Sequence, residues 1–186
     1  MPPILRRLQR ALFRSKLLDD SVDQYDSRLC TNALSVMGYP IRTIGYETAS
    51  LAEVLAALKA AGVATLIDVR DRPQSRRAGF SKRQLQAAIE EAGMRYLHLK
   101  ALGTPPEGRE ANHRREWERF WRIVGDKLAT AEAEIALQQV AALAAEAPSC
   151  LLCYEGDWRI CHRRRVAEIL VERHAFDVQH LMAQAP

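Results

Sequence analysis

The feature that most constrains the fold is an alternation of short apolar runs with helical patterns from Ile41 onward. The run "VATLIDV" is almost continuously apolar, which is typical of a strand covered on both faces. Strands that alternate with helices predict an α/β fold, namely a mostly parallel sheet with helices on both faces in three Rossmann-like layers. The five predicted strands are "IRTIGY" (41–46), "VATLIDV" (63–69), "RYLHL" (95–99), "SCLLCY" (149–154) and "DVQHL" (177–181).

Sequence signals for helix ends support this alternation. Ser50 and Glu53 have capping-box spacing, and the helix that they begin is expected to stop at Gly62. Ser81 and Gln84 repeat the same form. Further helices are predicted over 109–128, 131–147 and 162–174, and the aromatic and aliphatic stripe of the first of these indicates core packing.

Residues 1–40 differ in character from residues 41–186, which we expect to form a single α/β domain. The N-terminal extension begins with a basic amphipathic pattern and continues into an acidic linker. Such a helix could dock on its own domain, on a partner subunit in an oligomer, or on an anionic surface.

No apolar stretch approaches the roughly 20 residues of a membrane span, and no secretory signal is visible. We therefore expect a cytoplasmic protein with reduced cysteines.

Candidate site residues follow the predicted strands, because ligands of open parallel sheets bind beyond the carboxyl ends of the strands. These loops would gather arginine, carboxylate and thiol groups at one edge of the sheet. The residues are Gly45, Asp68, Arg70, Ser75, Arg76, Gly103, Cys153, Glu155, Cys161, His162 and Arg163.

The last predicted long helix begins with cations, although a helix N-terminus already carries partial positive charge. Arg164 and Arg165 lie at helical spacing from acidic residues and are expected to form surface pairs. Arg163 shares the buried side of the helix and is expected to lean toward the crevice. There it could hold an anion, or Glu155 or Asp157 could neutralise it.

The ordered set of these motifs resembles the bacterial domain-of-unknown-function family numbered 488. The resemblance covers about residues 41–181 and implies a compact α/β domain, usually cytoplasmic, without an established activity. The family commonly has Gly-His-Ser after its first strand, where this chain has Gly45 followed by Tyr46 and Glu47. The matching segments are "TIGY" (43–46), Asp68 to Arg76 in the pattern DVRxxPxSR, Phe80, Tyr96, "LG" (102–103), "LLCxE" (151–155), "CHR" (161–163) and His180.

Several chemical interpretations remain open from the sequence. Cys153 and Arg159 have the spacing of a phosphatase loop, but acidic residues within the loop would repel a phosphate. Cys161 at a helix N-terminus could be a reactive thiol with acid–base partners, or a packed core residue. Asp68 could act in catalysis or only orient a neighbouring arginine.

We do not expect a metal ion or another cofactor. Cys150 and Cys153 flank two leucines in a predicted strand, which would place their sulfurs on different faces, and adjacent Cys161 and His162 make awkward joint ligands.

The sequence thus favours a domain that binds a small anionic or phosphate-bearing ligand, such as a nucleotide. Arg70, Arg76 and Arg163 would bind the ligand, together with Gly45, Ser75, Gly103 and Cys153. The candidate catalytic groups are Asp68, Glu155, Cys161 and His162, and the residues do not decide whether the protein is an enzyme. The alternative is a nucleic-acid-binding or regulatory module that uses the same arginine-rich edge.

Overall fold

The structure is a computed structural model, and it describes residues 40–174 and 176–183 of the 186-residue chain. The basic helix and acidic linker expected in the N-terminal extension lie outside these described residues, as does Cys30. No helix of the described part is long and apolar enough to cross a bilayer.

Five strands form one sheet in which every neighbouring pair is parallel. The order across the sheet is β3-β2-β4-β1-β5, so β4 is inserted between the first two strands of the chain. All five predicted strands are therefore confirmed. Their bounds are β1 Ile41–Gly45, β2 Thr65–Asp68, β3 Arg95–His98, β4 Ser149–Cys153 and β5 Val178–Leu181.

Within the described residues, six α-helices connect and cover the strands. The predicted capping box at the start of α1 is confirmed, because Ser50 and Glu53 bond each other's backbone N–H groups. Ser81 is the N-cap residue of α2, as predicted, but it forms no capping hydrogen bond with its side chain, because its hydroxyl donates to the Ser75 carbonyl at 3.1 Å. The helices are α1 Leu51–Ala60, α2 Lys82–Glu91, α3 Pro106–His113, α4 Trp117–Leu128, α5 Ala131–Glu146 and α6 Arg163–His174; short 3₁₀ turns occupy Lys100–Leu102 and Trp158–Ile160.

The helix predicted over 109–128 is two helices. Arg115 has a φ of 60°, in the left-handed region, and this conformation interrupts the chain between α3 and α4. A non-glycine residue in this region is uncommon, so the composition gave no signal for the break. The interruption separates the polar α3 from the aromatic stripe of α4.

The sheet separates two hydrophobic cores. Helices α1 and α2 pack on one face, and α3 to α6 pack on the other. Side chains of β4 alternate between these cores, with Cys150 and Leu152 in the first and Leu151 and Cys153 in the second. This arrangement confirms the predicted three-layer α/β fold with a parallel sheet.

The connections after β1 and β4 leave the sheet toward opposite faces. The chain passes from β1 into α1 on one face and from β4 into α6 on the other, although the two strands are neighbours. Such a topological switch point opens a crevice at the carboxyl ends of the strands, where ligands of open α/β sheets bind.

Candidate functional site

A cleft of about 860 Å³ lies at the carboxyl edge of the sheet, against loops that follow β1, β2 and β4 and against helix α3. This volume is within the usual range for small-molecule sites, roughly 300–1,000 Å³. Of the residues that the structure describes, six arginines line the cleft, against three carboxylates. The charged lining residues are Arg70, Arg72, Arg76, Arg77, Arg109, Arg115, Glu47, Asp71 and Glu155.

Under the cleft, Asp68 is fully buried and holds Arg70 in a two-pronged ion pair. Arg70 Nε donates to Asp68 Oδ1 at 2.8 Å, and Nη2 donates to Oδ2 at 2.6 Å. Tyr96 donates its hydroxyl to the same carboxylate, and Arg70 Nη1 reaches the Tyr46 hydroxyl at 2.6 Å. Burial and the negative charge of Asp68 raise the pKa of Tyr96. Asp68 therefore orients Arg70, and it does not contact the cleft.

Gly45 and Gly103 hold the loops together by close backbone approach. A Cβ atom at Gly45 would lie 1.8 Å from the carbonyl oxygen of Glu155, and one at Gly103 would lie 2.1 Å from the amide nitrogen of Asp71. Glu47 joins the first pair of loops by accepting the Gly156 N–H at 2.9 Å. Both glycines thus act in loop packing, and neither lines the cleft.

Arg163 is buried and points at the loop after β4. Its guanidinium donates to the carbonyl oxygens of Glu155 and Gly156, and more weakly to Thr43 Oγ1 at 3.4 Å. Backbone carbonyls thus take the place of the anion or the carboxylate expected from the sequence. Arg163 does not line the cleft, and its role here is to position the loop. Arg165 pairs with Glu168 and Glu172, and Arg164 with Glu168, as predicted.

Two thiols, a carboxylate and an imidazole meet at the floor of the cleft; we call these residues the thiol cluster, comprising Cys153, Glu155, Cys161 and His162. Both thiols donate to Glu155 Oε2, Cys153 at 3.0 Å and Cys161 at 3.1 Å. His162 Nδ1 lies 3.6 Å from the sulfur of Cys153 and 3.9 Å from that of Cys161.

Hydrogen bonds with neighbouring residues orient the thiol cluster. His162 Nε2 lies 2.9 Å from the carbonyl oxygen of Val69. Because a carbonyl only accepts, Nε2 carries a proton and Nδ1 faces the sulfurs. Asn112 on α3 donates to the other oxygen of Glu155, Oε1, at 3.2 Å. The imidazole and the carboxylate are therefore each held from the side away from the sulfurs.

The environment shifts all four pKa values of the thiol cluster. Burial raises the pKa of Cys153 well above its ordinary value. At Cys161 burial acts in the same direction, but the neighbouring Cys153 and the positive charges of Arg163 and His162 outweigh it and lower the pKa. Burial, with the charge of Cys161, raises the pKa of Glu155 to about 7. Contact with Cys161 and Glu155 outweighs burial and raises the pKa of His162.

The structure brings part of the predicted site together. Six predicted residues line the cleft: Arg70, Ser75, Arg76, Cys153, Glu155 and His162. Five do not: Gly45, Asp68, Gly103, Cys161 and Arg163. Asp68 and Cys161, two of these five, were candidate catalytic groups. Both are fully buried, because Arg70 hydrogen-bonds Asp68 and Glu155 accepts a hydrogen bond from the thiol of Cys161.

The loop after β4 does not cradle a phosphate. Arg159 is exposed, pairs with Asp157 and stacks on Trp158, so it is not directed at Cys153. The N–H of Gly156 is already bonded to Glu47, and that of Arg159 to Asp157. The phosphatase-like spacing of Cys153 and Arg159 is therefore not accompanied by the geometry that this chemistry needs.

Sequence reasoning missed the contribution of α3 and the turn after it. Arg109, Asn112 and His113 occupy one side of α3, and Arg115 follows in the turn; all four line the cleft. Their spacing of three and four residues was visible in the sequence. A polar helical face has the same pattern whether it borders a cleft or bulk solvent, so the pattern alone did not indicate a site.

Comparison with known protein families identifies one match, over residues 50–170, to the family described as Domain of unknown function DUF488. This match covers more than half of the chain. The chain belongs to the DUF488 family. No curated protein and no solved structure gives a significant match. The matched part of the DUF488 domain runs from the N-cap of α1 to Leu170 within α6 and includes the whole thiol cluster.

Proposed function

We propose that this DUF488 domain binds a small phosphate-bearing ligand, such as a nucleotide, in the arginine-lined cleft. One observation carries the proposal: four of the six cleft arginines form no ion pair with a described residue. They are Arg72, Arg76, Arg77 and Arg115. The remaining two are neutralised, Arg70 by Asp68 and Arg109 by Asp71.

The surplus positive charge is suited to an anion. Guanidinium groups present planar, paired donors that match the oxygens of phosphates and carboxylates. Arg77 lines the cleft and keeps one buried donor, Nε, without a hydrogen-bond partner among the described residues.

The shape of the site favours a small ligand over a polynucleotide. The arginines surround a concave cleft with loops on one side and α3 on the other. The thiol cluster forms its floor, so Cys153, Glu155 and His162 are the groups that a reactive ligand would meet. Asp68 and Cys161 are too enclosed to touch it. We place the domain in a reducing cytoplasm, which would keep these free thiols reduced.

Titration calorimetry with a panel of mononucleotides, sugar phosphates and pyrophosphate tests this function. We expect saturable binding, weakened about 10- to 100-fold in Arg76→Ala and in Arg115→Ala, because each change removes a hydrogen bond between charged groups. Arg122→Ala is the matched control: this exposed arginine of α4 does not line the cleft and forms no ion pair with a described residue.

The proposal fails if no member of the panel binds, or if Arg122→Ala weakens binding as much as the cleft variants do. Binding of oligonucleotides with a steep dependence on salt, without any mononucleotide binding, would favour the nucleic-acid alternative.

A further inference from the structure

The four polar groups of the thiol cluster, defined above, converge on one point. One sulfur each from Cys153 and Cys161, Nδ1 of His162 and a carboxylate oxygen of Glu155 all lie within 4.8 Å of one another. We propose that these four atoms bind a single Zn²⁺ ion at the floor of the cleft. This inference is independent of the proposed anion binding.

The distances between the atoms suit tetrahedral coordination. With Zn–S of about 2.3 Å and Zn–N of about 2.05 Å, sulfur and nitrogen ligands of one tetrahedron lie about 3.6 Å apart. His162 Nδ1 is 3.6 Å from Cys153 Sγ and 3.9 Å from Cys161 Sγ. The sulfurs lie 3.0 and 3.1 Å from Glu155 Oε2. A retreat of the carboxylate by about half an ångström would bring these contacts to the tetrahedral edge length.

The imidazole is already oriented as a metal ligand. Metal-binding histidines usually donate the second ring N–H to a carbonyl or carboxylate, which fixes the tautomer and the direction of the ligating nitrogen. His162 Nε2 donates to the Val69 carbonyl, and Nδ1 is left facing both sulfurs. Asn112 orients the carboxylate of Glu155 by donating to Oε1, so that Oε2 is the oxygen directed at the sulfurs.

The kinds of ligand select the metal. Two thiols and an imidazole favour Zn²⁺ over Mg²⁺ or Ca²⁺, which prefer oxygen ligands. Cys153, Cys161 and His162 are buried, as in closed structural zinc sites, whereas the residue Glu155 is partly exposed at the cleft. On binding, Zn²⁺ would replace the protons of both thiols, and these would pass to solvent.

The proposed zinc site does not use the Cys150–Cys153 pair, which the sequence already makes unsuitable for a metal. Cys150 and Cys153 do lie in opposite cores, as expected for residues three apart in a strand, so Cys150 is not a ligand. The adjacency of Cys161 and His162 is not an obstacle. Both precede the first turn of α6, and the ligand atom of each lies within 4.8 Å of Cys153 Sγ.

Metal analysis of the full-length protein, purified without chelators, tests the site. We expect one Zn²⁺ per chain and, after stripping, uptake of one Zn²⁺ with a Kd of about 10 nM or tighter. Cys153→Ala and Cys161→Ala should each weaken uptake at least about 100-fold, because each removes one of the four ligands. Cys150→Ala serves as the matched control and should retain wild-type uptake, because Cys150 lies in the opposite core from Cys153.

Cobalt substitution of the wild-type protein tests the site without the need for any variant. The stripped wild-type protein should take up one Co²⁺ and show a thiolate-to-metal charge-transfer band together with intense tetrahedral d–d bands. Absence of Zn²⁺ uptake by the wild type, or a Co²⁺ spectrum without the thiolate band, would overturn the proposal. So would loss of metal in folded Cys150→Ala that equals the loss in Cys161→Ala.

Discussion

Asp68 and Arg70, two residues apart at the end of β2, face each other in a buried ion pair with two parallel hydrogen bonds. The carboxylate also accepts from Tyr96, and the guanidinium also donates to Tyr46 and to the Phe80 carbonyl. Each charge is therefore compensated from several elements at once. This ion pair joins β2 and β3 to the loops that form the cleft.

Removal of the Asp68 charge should be strongly destabilising. Asp68→Asn keeps the shape but leaves the buried Arg70 guanidinium without its counter-charge, and loss of one partner of a buried pair costs about 3–5 kcal/mol. Urea unfolding measures this loss. Asp71→Asn is the control: its partner Arg109 is 41% exposed, and a pair of this kind contributes at most about 1 kcal/mol. Equal losses in the two variants would contradict the structural role of Asp68.

The close approach of Gly45 to the loop after β4 gives a second prediction. In Gly45→Ala the new Cβ would clash with the carbonyl oxygen of Glu155, a backbone atom that the Arg163 guanidinium also holds. The loop must move, so we expect a loss of about 1–3 kcal/mol in the free energy of unfolding.

Gly125→Ala provides the comparison for this clash. Gly125 lies within α4, and a Cβ there would meet no atom within 4 Å. Alanine is the better helix former by about 1 kcal/mol, so this variant should be more stable than the wild type. Gly45→Ala should thus lower the free energy of unfolding and Gly125→Ala should raise it. A similar loss in both variants would contradict the specific clash at Gly45.

The sequence was sufficient for the fold class because each apolar run has to be buried and each helix end carries a chemical signal. Strand order was not predictable, because the insertion of β4 between β1 and β2 depends on long-range packing. The break at Arg115 was missed because arginine is not a residue that signals a left-handed backbone conformation.

The position of polar residues after strands correctly predicted part of the site. Which of these residues line the cleft depends on the conformation of the loops. Arg163 was expected to point at the crevice from its position on α6. Its guanidinium instead donates hydrogen bonds to the loop carbonyls of Glu155 and Gly156. Cys161 was chosen for its place at a helix start, and its full burial came from tertiary contacts that no spacing encodes.

Arg163 therefore yields a third prediction. Arg163→Ala would leave the carbonyls of Glu155 and Gly156 without their donor, and we expect a loss of about 1.5–3 kcal/mol in unfolding free energy because the lost bonds involve a charged group. Arg164→Ala, one position along the helix, removes an exposed pair with Glu168 and a cation–π contact with the Trp121 ring, and should cost about 1 kcal/mol. Denaturant unfolding of both variants checks the difference, and similar costs would argue against the loop-holding role.

His180 on β5 predicts how stability depends on pH. Its Nδ1 lies 2.7 Å from Thr43 Oγ1, and its ring stacks on Trp158 with centroids 3.9 Å apart. Burial, together with the positive charges of Arg163 and Arg159, lowers the pKa of His180 in the folded protein. In the unfolded chain the pKa is about 6.5, so the unfolded state binds more protons as the pH falls through that value. The contribution of His180 to stability is thus present above that pH and is lost on acidification.

The comparison of wild type with His180→Asn isolates this effect, because asparagine can still bond Thr43 but does not titrate in this range. The stability advantage of the wild type over the variant should shrink as the pH is lowered from about 7.5 to about 5.5, below the unfolded-state pKa. Urea unfolding at several pH values measures it. A difference between wild type and His180→Asn that stays constant over this range would show that His180 does not sense pH in the folded protein.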